Sequence, residues 1–263
     1  MIKKLLYASD LDRTLIYSGR FLNEHKTDKE ISPVEVIGPR VISYMDNDVI
    51  KELGYIRKDK RLHFVPVTTR SKSEYERVNL GFTPEYAIVA NGGTILYNGE
   101  PLEEYEAYIK GRLNLMEAMD IICDIEDELT SVDGSVKIID GKFLFWKCTN
   151  NDLFDEEALF LIGKYPEWEF ARQFSKCYAI PKHFSKQIAL RWLWHKLGKP
   201  FIVASGDSKL DLPMLTLANR AVIPKHGTLV TDGYVTAGTF VDGGISSPLE
   251  TFKIIENELK NLY

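Results

Sequence analysis

Cysteine is scarce in this sequence. Three occur among 263 residues, Cys123, Cys148 and Cys177, far apart and without a Cys-x-x-Cys pair. This pattern excludes a disulfide scaffold and a zinc site of ordinary ligand spacing, and it indicates reduced thiols in a cytoplasmic protein. A bilayer-spanning run of about 18 apolar residues is also missing. The short apolar run that ends at Asp10 does not make a signal peptide.

Positive charge is not in excess either. The chain has 33 basic and 38 acidic residues and a formal charge of -5. Because no basic field is available to hold a phosphodiester backbone, we expect neither a nucleic-acid partner nor a membrane partner. No internal repeats or low-complexity tracts occur. The length and a hydrophobic content of 44% allow a large core with a small satellite domain, which is the arrangement we predict.

Short apolar runs that end in polar residues recur along the chain. They lie at 5–9, 63–67, 86–90, 201–204 and 221–224, and we predict helices at 71–79 and from Ser185 to Gly198. Apolar strands alternating with helices indicate an α/β fold around a parallel sheet. In open parallel sheets the ligand site lies outside the carboxyl ends of the strands, so the polar residues there should converge.

The order of predicted helices and strands changes between residues 99 and 183. The pattern predicts a helix at 103–129, strands at 135–139 and 142–148 joined by Asp140-Gly141, a helix at 155–165 and strands at 167–172 and 176–180. This αββαββ order indicates an inserted α+β lid. We therefore predict a core domain at 1–98 and 184–263, and an inserted domain at 99–183.

Two pairs of carboxylates follow predicted strands. Asp10 and Asp12 come where the first strand ends, and Asp207 and Asp211 follow the strand at 201–204. A carboxylate that attacks a phosphoryl group needs a cation, because attacker and target repel each other, and further carboxylates must hold that cation. Each pair alone is a weak signal, since Asp is favoured in turns.

The order of the polar residues is more specific than either pair. The segments occur in the sequence Asp10-x-Asp12-x-Thr14, Thr68, Lys186 and Gly206-Asp207-Ser208-x-x-Asp211. This series resembles the four motifs of the haloacid dehalogenase (HAD) superfamily. The inserted αββαββ block is similar to the type IIB (C2-type) cap of its Cof-like, sucrose-phosphatase-like branch. The Asn91-Gly92-Gly93 turn before this block is similar to an Asn-Gly segment that is common in the same branch. The resemblance implies a Rossmann-like core with a parallel sheet.

The resemblance also implies a covalent mechanism. Asp10 would attack phosphorus and form an aspartyl-phosphate, which divides one hard step into two easier ones. Asp12 would protonate the leaving alkoxide and later deprotonate the attacking water.

The same resemblance implies a metal site and a phosphate site. Mg²⁺ suits an oxygen-only ligand set: Asp10, the backbone carbonyl of Asp12, Asp207, and Asp211 nearby or through water. The phosphoryl oxygens would be bound by Thr68, with Thr69 as the alternative hydroxyl, and by Lys186, although Lys186 as a solvated helix residue is the simpler interpretation.

Three features depart from the family pattern. Position 13 is Arg where Gly is commoner, and position 210 is Leu where many Cof-like members have Asn. The stretch at 16–45 is long for the hairpin flap that follows the first strand, so we expect an additional gate there.

Substrate choice is expected to lie with the cap, which closes over the leaving group. Its candidate contacts are Lys137, Lys142, Trp146, Lys147, Arg172 and Lys176. A sugar could stack on Trp146 and pair its charges with a Lys or Arg. The competing interpretation is a solvated sheet face, with Trp146 packed against a cap helix.

These observations predict a hydrolase of small phosphate monoesters, with a sugar phosphate as the first choice. A phosphomutase on the same fold is the alternative enzyme, and it would require a second phosphate site in the cap. A catalytically silent regulatory protein is the third possibility, although the intact motif residues argue against it. The sequence leaves the oligomeric state open.

Overall fold

The computed structural model describes residues 3–110, 114–129, 132–148, 151–173, 175–235 and 238–262, without the side chains of 115, 151–153 and 155. The chain divides into two compact units. The core unit comprises Met1–Leu102 and Lys186–Tyr263, and the cap unit comprises Glu103–Ser185. That these units fold as separate domains with boundaries at 98/99 and 183/184 stays a prediction.

The first segment of the core unit contains most of its small elements. In order they are β1 (Leu5–Ser9), β2 (Tyr17–Ser18), α1 (Gly19–Glu24), β3 (Ile31–Ile37), β4 (Arg40–Asp46), α2 (Asn47–Ile56), β5 (Leu62–Pro66), α3 (Lys72–Tyr75), β6 (Tyr86–Val89), β7 (Thr94–Tyr97) and β8 (Glu100–Pro101).

The cap unit follows as an insertion. Its elements are α4 (Glu103–Ile109), α5 (Leu115–Glu128), β9 (Val132–Ile139), β10 (Phe143–Cys148), α6 (Asn151–Lys164), β11 (Trp168–Gln173) and β12 (Lys176–Pro181).

The second segment of the core unit returns with a regular strand and helix alternation. Its elements are α7 (Lys186–Lys196), β13 (Phe201–Ser205), α8 (Leu212–Leu217), β14 (Arg220–Pro224), α9 (Thr228–Thr231), β15 (Thr239–Val241) and α10 (Ser247–Asn261). Among the described residues, no helix is long and apolar enough to cross a membrane.

A parallel sheet organises the core unit. Its strand order is β15-β14-β13-β1-β5, and every pair is parallel. All five residues of β1 are buried, as expected for a strand covered on both faces. The α/β fold with a parallel sheet is therefore confirmed, and the ends of β1 and β13 lie side by side, with Ser9 in register with Ser205.

Two predicted elements of the core differ from the structure. The strand predicted at 86–90 lies outside the five-stranded sheet, because β6 pairs antiparallel with β7 and reaches β5 only through a bridge between Val67 and Ile88. The helix predicted at 71–79 stops after one turn. The Asn79 N–H donates to Val34 O at 2.7 Å instead of continuing the helix.

The long stretch after β1 forms a three-stranded sheet of order β2-β4-β3. We call residues 16–45 the flap. Its buried side chains include Tyr17, Phe21, Val34, Glu35 and Ser43. Glu35 and Ser43 are polar residues buried among these apolar ones, so the flap also has polar side chains in its interior.

In the cap unit, the αββαββ order is confirmed with one difference. The helix predicted at 103–129 is two helices, α4 and α5, and residues 111–113 lie outside the described residues. The Asp140-Gly141 turn is as predicted. Both residues have positive φ, 49° and 64°, which a type I′ turn requires, and the Lys142 N–H donates to Ile139 O at 2.8 Å.

The cap sheet, of order β11-β12-β10-β9, has one face covered by helices. The covered face forms a core with α5 and α6 that includes Leu144, Trp146, Cys148, Phe170, Cys177 and Ala179. The opposite face carries Phe145 and Tyr178, which are in register with ring centroids 5.7 Å apart. Because successive side chains alternate between faces, Lys147 shares the face of Phe145.

Candidate active site

Asp10 lies directly after β1, at the carboxyl edge of the parallel sheet. Its N–H donates to Ser205 O at 2.9 Å, so the backbone of β13 fixes its position. Ser9 Oγ donates to the carbonyl of Asp10 at 2.8 Å. The residue is only 6% exposed. A buried carboxylate at a strand end is held rigidly enough to serve as a nucleophile.

Three buried carboxylates meet at this edge. Asp10, Asp207 and Asp211 offer oxygens that all lie within 4.8 Å of one another. We call them the carboxylate cluster. Asp207 and Asp211 follow β13, so the convergence predicted from parallel strand ends is what the structure shows. Like charges this close need compensation by cations or protons.

Two glycines allow the close packing of the cluster. A Cβ on Gly206 would lie 2.5 Å from the Cβ of Asp211, and one on Gly227 would lie 2.7 Å from the carbonyl oxygen of Asp207. Any larger residue at either position would displace the backbone that aims these carboxylates.

Lys186 supplies a positive charge inside the cluster. It is the first residue of α7 and is 2% exposed, and its Nζ donates to Asp10 Oδ1 and to Asp211 Oδ1, each at 2.6 Å. Burial alone would lower the pKa of Lys186, but the two carboxylates raise it above its usual range, so the ammonium stays charged.

Asp211 is oriented by hydrogen bonds. Its Oδ2 accepts from Ser208 N–H at 3.0 Å, from Ser208 Oγ at 2.8 Å and from Asp207 N–H at 3.2 Å. With Oδ1 on Lys186, this carboxylate is the most fully hydrogen-bonded of the cluster. With its oxygens already occupied, Asp211 fits a metal ligand that acts at longer range or through a water molecule.

Burial and mutual repulsion perturb the other two carboxylates. Burial, followed by the charge of Asp211, raises the pKa of Asp10 well above its ordinary value. The same two causes raise the pKa of Asp207 to about 7. When all three carboxylates are ionised, Lys186 and Arg13 leave one negative charge in excess. The cluster therefore attracts a further cation.

Arg13 is the cation beside Asp207. It has a positive φ of 64°, and its Nε donates to Asp207 Oδ2 at 3.1 Å. Its guanidinium carbon lies 5.1 Å from the ring centroid of Phe21 in the flap. Arg13 is thus part of the site.

His226 is hydrogen-bonded to Arg13. Its Nε2 lies 2.7 Å from Arg13 O, and its Nδ1 accepts the N–H of Gly244 at 3.0 Å. A carbonyl can only accept, so the ring is neutral with its proton on Nε2. Burial lowers the pKa of His226 to about 4, which keeps it neutral.

Asp207 Oδ1 is the atom that best fits a metal. It is buried and has no hydrogen-bond partner among the described residues. A buried, unpartnered carboxylate oxygen is costly in a folded protein. Within a cluster of three carboxylates it fits a divalent cation with oxygen ligands, held by Asp10 and Asp207 with Asp211 close by.

Asp12 is not a member of the carboxylate cluster. Its side chain is 46% exposed and forms a bidentate pair with Arg70, at 2.7 Å from Nε to Oδ2 and 2.8 Å from Nη2 to Oδ1. The side chain of Asp12 is thus not among the clustered metal-ligand candidates, and the metal-binding role of its backbone carbonyl stays a prediction. Its proximity to Arg70 was not predicted.

Arg70 is itself held by the flap. Its Nη1 donates to Glu35 Oε2 at 2.7 Å, and Glu35 Oε1 accepts from Arg77 Nε at 3.2 Å. Sequence analysis missed these residues together with His226 and Gly227. The available signal for Arg70 was its position directly after Thr68-Thr69 at a strand end, whereas nothing in the sequence marks Glu35.

The two threonines follow β5, next to Asp10. The Val67 N–H donates to Ser9 O at 2.7 Å, which ties this strand end to β1. Thr68 is buried, and its Oγ1 accepts the Arg70 N–H at 3.1 Å. Thr69 is half-buried. The phosphate-binding roles of these threonines stay predictions.

The cap candidates do not share one surface. Trp146 is 0% exposed and packs against Phe154 of α6, so its predicted stacking on a sugar is wrong and the competing interpretation holds. Arg172 is in register with Cys177 on the covered face. Lys142 donates to Glu106 Oε2 at 2.8 Å. Lys147 is exposed on the open face.

Comparison with known proteins relies on structure. No known family model matches the chain, and no curated protein sequence matches it. Solved structures do match. The sucrose-phosphatase from Synechocystis sp. PCC6803, in complex with sucrose and phosphate, has a TM-score of 0.68 at 12% identity, over 97% of this chain and 99% of that chain.

Two further structures carry the family name. A haloacid dehalogenase-like hydrolase from Bacillus subtilis has a TM-score of 0.58 at 14% identity, over 97% of this chain and 96% of that one. A HAD subclass IIB sugar phosphatase has a TM-score of 0.57 at 16% identity, over 95% and 99%. As its motifs predict, the chain therefore has the fold of the haloacid dehalogenase-like hydrolases.

Proposed function

We propose that the chain is a Mg²⁺-dependent phosphatase that hydrolyses a small phosphate monoester through an aspartyl-phosphate on Asp10. One observation carries the proposal. Asp10, two further carboxylates and the Lys186 ammonium are buried together at the carboxyl edge of a parallel sheet, with Lys186 2.6 Å from Asp10.

Asp10 is the nucleophile in this proposal. A carboxylate oxygen of Asp10 bonds to phosphorus while the bond between phosphorus and the ester oxygen breaks. Lys186 contacts Asp10 and offers positive charge to the phosphoryl oxygens as they approach. Thr68, after the neighbouring strand, would offer its hydroxyl to the same group.

Asp12 is the acid and then the base. It gives a proton to the leaving alkoxide in the first step. In the second step it takes a proton from the water that attacks the aspartyl-phosphate, which frees Asp10 and inorganic phosphate. Support comes from exposure: the Asp12 side chain is 46% exposed, so it can take up from solvent the proton that it gives to the leaving group, whereas Asp10 is buried.

Mg²⁺ would be held by Asp10, Asp207 and the backbone carbonyl of Asp12, with Asp211 nearby. When bound, the ion supplies positive charge between the carboxylate and the phosphoryl oxygens. Support comes from the excess negative charge of the cluster and from the unpartnered Oδ1 of Asp207.

A sugar phosphate or another phosphorylated metabolite is the proposed substrate. The sucrose-phosphatase and the sugar phosphatase that share the fold support this choice. A cytoplasmic location belongs to the same proposal and is supported by Cys123, Cys148 and Cys177, which form no disulfide with one another.

The test is a panel of phosphate esters assayed with Mg²⁺, with EDTA, and with Asp10→Asn. We expect turnover of at least one ester with Mg²⁺, and its loss in the other two conditions. Asp28→Asn, an exposed Asp in the flap, is the matched control and should behave as the wild type. Full activity in EDTA or in Asp10→Asn would overturn the mechanism. Stimulation by a sugar bisphosphate would indicate a mutase instead.

A further inference from the structure

Glu35 is a buried carboxylate outside the carboxylate cluster. It lies on β3 of the flap and is 1% exposed. Its oxygens accept from three side chains: Arg70 Nη1 at 2.7 Å, Ser43 Oγ at 3.1 Å and Arg77 Nε at 3.2 Å. Burying a charge is costly unless it is paired and hydrogen-bonded, and here both conditions are met.

Arg70 joins Glu35 to Asp12. The guanidinium is a rigid plane with its donors in a fixed geometry. Nε and Nη2 on one edge hold both oxygens of Asp12, while Nη1 on the other side contacts Glu35. Because the plane is rigid, fixing Nη1 on Glu35 fixes the direction in which the other edge faces Asp12.

Without Glu35, Arg70 would lose this restraint. The Asp12 side chain is 46% exposed, and both of its oxygens accept from Arg70. Arg70 could then rotate with Asp12, or move towards the other carboxylates. The acid would no longer be presented in one orientation, although the nucleophile and Lys186 would keep their contacts.

We propose that Glu35 is a positioning residue for the reaction: through Arg70 it orients Asp12 for proton transfer to the leaving group. The inference rests on the proposed function. It makes the flap part of the catalytic scaffold, since β3 supplies Glu35 and β4 supplies Ser43. If Glu35 only joined the flap to the core, an apolar residue could do so without burying a charge.

The test compares two esters in the first turnover, measured by rapid quench. An alkyl ester, the best alkyl substrate in the panel, needs its leaving group protonated, whereas p-nitrophenyl phosphate hardly does. In Glu35→Gln we expect ester cleavage to slow about tenfold or more for the alkyl ester and to stay within about twofold for the nitrophenyl ester. Glu24→Gln, which alters the exposed flap ion pair with Arg20, is the matched control.

Each outcome decides the inference. Equal slowing of both esters would mean a structural role and would overturn it, as would no slowing of either. If Glu35→Gln gives no cooperative melting transition, Ser43→Ala replaces it, with the same selectivity expected at a smaller size. Failure of the wild type to hydrolyse any ester, or full activity of Asp10→Asn, would instead refute the proposed function.

Discussion

The charged candidate residues of the core unit and those of the cap unit differ in burial and in their contacts. In the core, Asp10, Asp207, Asp211 and Lys186 are buried and contact one another. In the cap, Lys147 is exposed, and Lys142 pairs with a single glutamate. The core holds charge by its backbone, at the ends of paired strands, so its chemistry is fixed by the fold. Lys147 lies at the surface of the cap, where it can be replaced without disturbing the packing.

Two matched lysine variants test most directly whether the buried charges of the core matter more for turnover than the exposed charge of the cap. Lys186→Met removes the ammonium between Asp10 and Asp211, and we expect kcat to fall about 1,000-fold because the phosphoryl group and the carboxylates lose their shared cation. Lys147→Met should leave kcat within about twofold and raise KM by less than about tenfold. Steady-state kinetics on the best ester separates the two. A loss of kcat at Lys147 equal to that at Lys186 would contradict the division.

Trp146 tests whether the cap is stable by its own packing. Trp146→Ala empties a fully buried site in the cap core and should cost about 3–5 kcal/mol of unfolding free energy. Denaturant unfolding followed by circular dichroism measures it. If the units unfold separately, only one transition should move. The neighbouring Lys147→Ala is the control and should stay within about 0.5 kcal/mol of the wild type. An equally small effect at Trp146 would mean that the site is not packed as described.

His226 tests the core through pH. Its pKa is about 4 in the folded chain and near 6.5 when unfolded, so below 6.5 the unfolded state binds a proton that the folded state does not. The stabilisation that the neutral His226 ring contributes is therefore fully present above pH 6.5 and is lost as the pH falls towards 4. Between pH 7 and 5 the wild type should lose about 2 kcal/mol more than His226→Gln.

Urea unfolding at the two pH values measures the difference. His195→Gln, at an exposed histidine on α7, should keep the pH dependence of the wild type. If His226→Gln kept it too, the buried neutral ring would not be responsible.

The smallest expected effect is in the cap hairpin. Gly141 has a φ of 64°, so Gly141→Ala should cost about 1 kcal/mol through backbone strain, although the added Cβ meets no atom within 4 Å. Gly163→Ala in α6 is the matched change without positive φ, and it should stabilise the cap by about 0.5 kcal/mol. Thermal melting compares the two variants. Equal effects would contradict the turn conformation.

The sequence predicts the carboxylate cluster because its cause is local. A strand end and the next one or two residues place each side chain, and parallel strands bring their ends together. The strand ends predict that Asp10, Asp207 and Asp211 lie close together, but selecting them and Lys186 as functional residues also required the order of the motifs and the resemblance that it carries. The same reasoning fails for Arg70 and Glu35, because their contact depends on how the flap folds back, and alternating residues in a strand do not reveal which partner they meet.

Strand register explains the remaining differences. A one-residue change of phase moves a side chain to the other face of the sheet. Trp146 and Lys147 are adjacent in sequence, yet one is in the cap core and the other is exposed. Composition favours both as substrate contacts, and only the alternation along β10 separates them. The early end of α3 likewise depends on a distant acceptor, Val34 O.

The position of Lys186 has a practical consequence for handling the protein. Its ammonium already lies between two of the three carboxylates, 2.6 Å from each, so part of the repulsion at the site is relieved by a side chain. A lysine cannot be dialysed away. We therefore expect preparations stripped of metal to remain folded and storable, and to recover turnover when the ion is returned, because the site carries a permanent counter-ion of its own.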